Sequence, residues 1–169
     1  MKIIVENKKE ESKILNAVKN LLSKNKLLTL STYKDNQPYS NTAFYVFDKE
    51  FNLYIWSEQN TLHNKNISKN NKVSINIFNS NQPWGSLLQG VQALGNAYPA
   101  SNKELLKVGF LYLKRFPKSL KLVKNPKNFH NKIFQSKMYK IQLNKIKLFD
   151  EKTFGKYETR EIIIKRWKT

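Results

Sequence analysis

Three extended segments follow one another with almost no chain between them. LLTLSTY (27–33), YSNTAFYVFD (39–48) and FNLYIWS (51–57) are rich in β-branched and aromatic residues. KDNQP (34–38) separates the first two, with Asp35 and Asn36 able to bond their own backbone, and Lys49–Glu50 makes the tight turn to the third. Connections this short force antiparallel neighbours, because a parallel crossover needs a dozen or more residues. A β-meander is therefore the frame on which the rest of the chain must be placed.

The remaining patterns extend that frame. KVSINIFN (72–79) alternates, with Val73, Ile75 and Ile77 on one face and Ser74, Asn76 and Phe78 on the other, as a half-buried strand does. LLQGVQALGNAY (87–98) alternates too, and Gly90 and Gly95 mark bends or bulges of the kind barrels use. Met138–Leu148, within 134–150, reads as a last long strand, and Ile162–Ile164 as an edge strand. Ile14, Leu15, Val18, Leu21 and Leu22 follow helical spacing, which predicts an amphipathic helix over 9–25. TLHNKNISKNN (61–71) is a short polar helix. Ser101 and Glu104 have capping-box spacing and open a helix over 102–115, which Pro117 stops. Residues 118–132 form a basic connection. Six or seven strands with few helices between them make a mainly β fold with flanking helices, a small antiparallel barrel in a single domain over 1–169.

Composition narrows the chemistry. At 169 residues and 40% hydrophobic, the chain is large enough to bury a core. There is no Cys, which excludes disulfides, Cys-ligated zinc, iron–sulfur clusters and thiol catalysis. Two histidines, His63 and His130, exclude a multi-His metal site. No apolar run approaches the ~20 residues of a membrane span, and MKIIVENKKEES lacks a signal-peptide apolar region. The expectation is a cytoplasmic protein with no metal. Lys plus Arg number 31 against 12 acids, a net charge of +19, and the arginines are Arg115, Arg160 and Arg166 alone. Between Glu58 and Asp150 Glu104 is the one acid, against 16 Lys or Arg. That stretch is either a solvated lysine face or a field that draws anions. Few Arg forks and no reading motif speak against a nucleic-acid partner.

Two stretches are candidates for a site. In WSEQNTLHNKN (56–66) a strand ends at Ser57 and a helix begins near Thr61, gathering two hydroxyls, His63 and Lys65 at a helix N-terminus. Such an end is an anion site; equally, Thr61 is a plain N-cap and His63 a surface residue. In SNTAFYVF (40–47), Asn41, Thr42 and Ala43 are small or polar on an aromatic strand. They suit either a planar ligand against the backbone or an ordinary strand edge. Tyr45, Trp56, Trp84 and Trp167 are open for a flat-ligand pocket or for core. His130, between Phe129 and Phe134, is either a haem ligand or a surface residue. No Gly-rich phosphate loop, carboxylate pair or Ser nucleophile elbow appears, so no side chain is assigned a catalytic role.

The order QPYSNTAFYVFD, LYIWSEQNTLHNKNISKNNKV, GVQALGNA, from about Leu27 to Ala97 and more weakly through Tyr139–Phe149, resembles the pyridoxamine 5′-phosphate oxidase-like, FMN-binding split barrels. The helix end Lys114-Arg115-Phe116-Pro117 is similar to that of a short, functionally uncharacterised branch. The resemblance implies a six-stranded split antiparallel β-barrel that forms a homodimer with FMN at each end of the interface. It places Asn41, Thr42, Ala43 and Phe44 along the isoalloxazine, and Trp56, Ser57, Thr61, Leu62 and His63 around the ribityl chain and phosphate. Gln89 and Gln92 would add polar contacts, and Phe149 and Arg160 would approach the site. Where the family usually carries basic residues, this chain has Asn41, Val46, Leu62 and His63. The function expected is FMN-dependent oxidation or reduction of a small molecule. A non-enzymatic haem- or flavin-holding barrel and a basic nucleic-acid binder are the alternatives.

Overall fold

Two left-handed residues, Asp35 (φ 50°) and Asn36 (φ 59°), close the first hairpin in the two-residue turn that matches strand twist. The computed structural model describes residues 1–119 and 136–166. The strands are β1 (Lys2–Val5), β2 (Leu27–Lys34), β3 (Gln37–Phe47), β4 (Asn52–Glu58), β5 (Lys72–Phe78), β6 (Gln89–Pro99), β7 (Ser136–Asp150) and β8 (Thr159–Lys165). The helices are α1 (Glu11–Lys24), α2 (Leu62–Lys69), α3 (Asn102–Arg115) and the single turn α4 (Glu151–Phe154). His130, Phe129, Phe134 and Trp167 lie outside the described residues.

Every strand pair is antiparallel. Strands run β7-β4-β3-β2-β5-β6, and β6 pairs back onto β7, which closes a six-stranded barrel. On one edge of β7, residues Ser136–Gln142 pair with β4 and Lys145–Phe149 with β8. The sheet splits there, and β8 leads on to β1. Ile162–Ile164 is therefore not an edge, as its sequence suggests, but lies between β7 and β1. The true edge, KIIV, is too short to show a period.

The alternation in β5 is obeyed: Val73, Ile75 and Ile77 are buried and Asn76 and Phe78 exposed. Ile14, Val18 and Leu22 of α1 are fully buried in the same core. Outside the barrel, α3 covers a second cluster of Val46, Tyr54, Val108 and Met138. Two polar contacts fix these helices. The guanidinium of Arg115 donates to Leu22 O (2.6 Å) and Asn25 O (2.5 Å), placing a cation on the C-terminal carbonyls of α1. Asp48, buried in the β3–β4 turn, accepts from Glu50 N, Asn52 N, Asn52 Nδ2, the Tyr54 hydroxyl and Lys107 Nζ of α3. Burial alone would raise its pKa, but these bonds outweigh burial and hold the carboxyl below its ordinary value.

The ladder between β6 and β7 shifts register at Leu94/Gly95. A Cβ on Gly95 would fall inside contact distance of Gln142 O, a backbone atom that cannot swing away. Gly95→Ala is expected to destabilise the barrel by ~1–3 kcal/mol, the scale of overpacking, read as a lower urea midpoint with unchanged slope.

Candidate functional site

Strand β4 ends at Glu58, a three-residue turn follows, and α2 starts at Leu62. This junction brings together Ser57, Thr61 and His63, as the residue pattern anticipates. Ser57 Oγ lies 2.6 Å from His63 Nε2 and 3.4 Å from Thr61 Oγ1, and Thr61 Oγ1 is 3.1 Å from the same nitrogen. A fourth member, Asn64, is 2% exposed. Its Nδ2 donates to Ser57 Oγ (2.9 Å) and to Glu58 O (2.7 Å). Nothing in the sequence distinguishes Asn64 from the other asparagines of that helix; the sharp turn between β4 and α2 is what aims it inward.

The Thr61 hydroxyl donates to Glu58 O (2.9 Å), and Asn64 uses both of its amide protons. Ser57 Oγ and His63 Nε2 share one hydrogen bond, in which the imidazole tautomer decides the donor. Burial holds the His63 pKa below its ordinary value. Thr61 occupies the N-cap position, but its side chain makes no cap bond. Thr61 therefore does not cap the amides of Leu62, His63 and Asn64, which stand at the positive end of α2.

The strand beside this junction is divided by its pleat. Asn41 stands opposite the buried Leu30, and Thr42 opposite Thr29. Asn41 and Ala43 thus share the inward face, while Thr42 and Phe44 point out. The Oδ1 atom of Asn41 is buried with no partner among the described residues. Phe44 is 58% exposed and packs edge-on against Phe116, at 5.4 Å between ring centres. Trp56 is also at the surface, 44% exposed. Tyr45 is not available to a flat ligand: it is fully buried, and its hydroxyl donates to Leu22 O. Trp84 is fully exposed in the loop before β6. Val46 is packed under α3, where an ammonium would lose its water, so a neutral residue suits this fold. Leu62 is exposed at the start of α2.

The two glutamines sit elsewhere. Gln92 is in an outward row, Thr42–Thr29–Asn76–Gln92–Lys147–Glu161, that crosses five strand pairings. It lines a groove of about 420 Å3 with Ser31, Ser74 and Leu94. Gln89 donates to Asp150 Oδ1 at 2.6 Å. Gln89 pairs with Asp150 and Ser57 with Lys137, so the two lie at opposite ends of the fifteen-residue β7. One protomer does not bring both to one ligand. Arg160 is bound within its own chain, to Glu10 (3.1 Å) and Glu158 (2.9 Å) and over the Phe154 ring. Among the described residues no helix is long and apolar enough to cross a membrane.

A family model described as pyridoxamine 5′-phosphate oxidase matches residues 14–148. A UPF0306 protein of Pasteurella multocida is 28% identical over 146 residues, covering 85% of this chain and 88% of that one. Among solved structures, a haem-binding protein from Mycobacterium smegmatis aligns with a TM-score of 0.68 at 12% identity, over 89% of this chain and 57% of that one. An FAD-binding protein from Mesorhizobium loti aligns with a TM-score of 0.57 at 14% identity, over 96% and 98% of the two chains. At these identities the two structures speak for the fold.

A buried, neutral His63 ties stability to pH. Its folded pKa is below the unfolded value of 6.5, so its contribution is complete above that pH and is lost as the unfolded chain takes up the proton on acidification. The melting temperature is expected to fall from pH 7 to pH 5. His63→Gln, which keeps an acceptor for Ser57, should remove that part of the slope in a series of melting curves.

Proposed function

Because the chain belongs to the pyridoxamine 5′-phosphate oxidase family, we propose that it binds a flavin, FMN, in a site completed by a second copy of itself. The flavin would oxidise or reduce a small molecule there. The observation that carries this reading is the β4–α2 junction: amides and hydroxyls at the start of α2 beside a strand whose outward face carries Thr42 and the exposed Phe44. These groups fit the two ends of a flavin mononucleotide. The α2 amides, Ser57, Thr61 and His63 suit the phosphate end, and Thr42, Phe44 and Trp56 offer small and aromatic surface to the ring.

Bound FMN supplies the hydride or electron chemistry. The chain's own part is to hold the ring on the outward face of β3 and to anchor the tail at α2. The separation of Ser57 and Gln89 along β7 supports a composite site, in which the partner contributes Gln89 and Gln92. The outward faces of β5 and β6 also carry exposed Phe78 and Leu94, apolar surface that a second copy would cover.

A second reading, a haem holder, draws on the structural likeness to the haem-binding protein from Mycobacterium smegmatis. Within the junction, His63 Nε2 is engaged by Ser57 and Thr61 and is not presented to a metal.

Absorbance of the purified protein separates the readings: a flavin spectrum is expected, and a Soret band would select haem instead. In titrations at pH 6, Thr61→Ala should weaken FMN by ~1–2 kcal/mol, the scale of one hydrogen bond, and leave riboflavin nearly unchanged. Equal losses for both would mean a disturbed barrel rather than a lost phosphate contact. Sedimentation should give twice the 19.9 kDa chain mass. Phe78→Lys with Leu94→Lys should yield monomer and lose flavin together, whereas a monomer that retains FMN would refute the composite site.

A further inference from the structure

Two acids are buried among the described residues, Asp48 and Asp150, and they are treated differently. Asp48 is met by five donors, one of them the Lys107 ammonium. Asp150, 5% exposed, is met by one: Gln89 Nε2 donates to its Oδ1 at 2.6 Å. Gln89 is itself fixed, since its backbone exchanges two hydrogen bonds with the Gln82 amide. Asp150 stands at the N-cap position of α4 yet its side chain makes no cap bond. Its Oδ2 therefore has no partner among the described residues. A desolvated carboxylate oxygen left in that state is costly, and a cationic donor is what it lacks.

That oxygen belongs to a cavity of about 340 Å3 between α1 and the β7–α4 corner. The cavity lies at the Gln89 end of β7, away from Ser57 and the start of α2. Its α1 wall includes the apolar side chains of Ala17 and Leu21. Lys24 and Lys152 also line it, both exposed and neither paired with an acid among the described residues. The nearby Glu151 is taken by the amides of Leu88 and Tyr157.

This charge pattern selects the ligand. A bare amine or a metal ion would satisfy Asp150 but would be repelled by the two lysines and by the net charge of +19. No group of three or more His, Asp or Glu placed to hold a metal ion occurs among the described residues. A zwitterion with an ammonium and a carboxylate close together answers both signs at once, and its remaining carbon chain can cover the apolar wall.

We propose that this cavity binds a free α-amino acid with an aliphatic side chain. Its ammonium donates to Asp150 Oδ2, its carboxylate faces Lys24 and Lys152, and its side chain lies on Ala17 and Leu21. The site is separate from the β4–α2 junction and does not rest on the flavin reading.

The test is a titration of the full-length protein, followed by its amide NMR spectrum, with three probes. They are L-leucine, isocaproate, which is leucine without the ammonium, and isoamylamine, which is leucine without the carboxylate. L-Leucine at millimolar concentration is expected to shift the amides of Gln89, Asp150 and Lys152 and to leave those of Ser57 and Leu62 in place. Each analogue should bind at least about tenfold more weakly, the scale of a lost charge-assisted hydrogen bond. Asp150→Asn, which keeps an acceptor for Gln89, should weaken leucine by about ten- to a hundredfold. Lys152→Gln, a change at the surface, should weaken it by about two- to fivefold with the melting temperature unchanged. If Asp150→Asn does not fold, the Lys152 variant and the two analogues decide. Leucine that binds no more tightly than isocaproate would overturn the proposal. So would leucine that leaves the Gln89 and Asp150 amides unmoved, or a folded Asp150→Asn protein that binds it as the wild type does.

Discussion

Strand β7 hydrogen-bonds along both of its edges, and the barrel depends on this. One edge carries β6 over nearly its whole length; the other is shared by β4 and β8. Without the β6–β7 ladder the sheet would be open, with two unpaired edges exposed to other chains. Closure leaves the short, four-residue β1 as the outermost strand. The same length that closes the barrel also separates Ser57 from Gln89. A candidate site divided between the two ends of one strand follows from the way that strand seals the fold.

The helices are attached by polar contacts as well as by packing. Arg115, at the last turn of α3, reaches the carbonyls that end α1 and lies 4.7 Å over the Tyr45 ring. At the other end of α3, Glu104 accepts from Ser101 and Lys140, and Lys107 meets Asp48. Held at both ends, α3 shields Val46, Tyr54 and Met138. Its position determines which residues of β3 remain available: Val46 is covered, Phe44 is left at the rim, and Thr42 stays open.

The chemistry of the β4–α2 junction contrasts with the charge of the chain. A net +19 would suggest an anion site built from ammonium groups. The buried part of the junction is instead neutral: two hydroxyls, an amide and an imidazole kept uncharged by desolvation. A few lysines elsewhere are answered by acids, as in the pairs of Lys107 with Asp48, Lys140 with Glu104 and Lys145 with Glu161.

Much of this architecture is local and so can be read in the sequence. The β2–β3–β4 meander follows from short turns, the half-buried β5 from a period of two, α3 from its cap and from Pro117, and the break at Gly95 from a glycine in a strand. Ser57, Thr61 and His63 are also legible as a group, because a strand end and a helix start lie close along the chain. Other features depend on residues far apart in sequence. The pairing of β1 with β8, the sharing of one β7 edge, and the burial of Val46 under α3 are decided by which surfaces meet when the barrel closes. The split of Asn41 and Ala43 from Thr42 and Phe44 needs the strand's register against Leu30 and Thr29. Asn64 is one amide among many until the turn after β4 brings it within hydrogen-bonding distance of Ser57. Patterns of propensity and polarity are short-range and belong to the sequence. Register and burial are set by non-local contacts, and tertiary structure alone decides them.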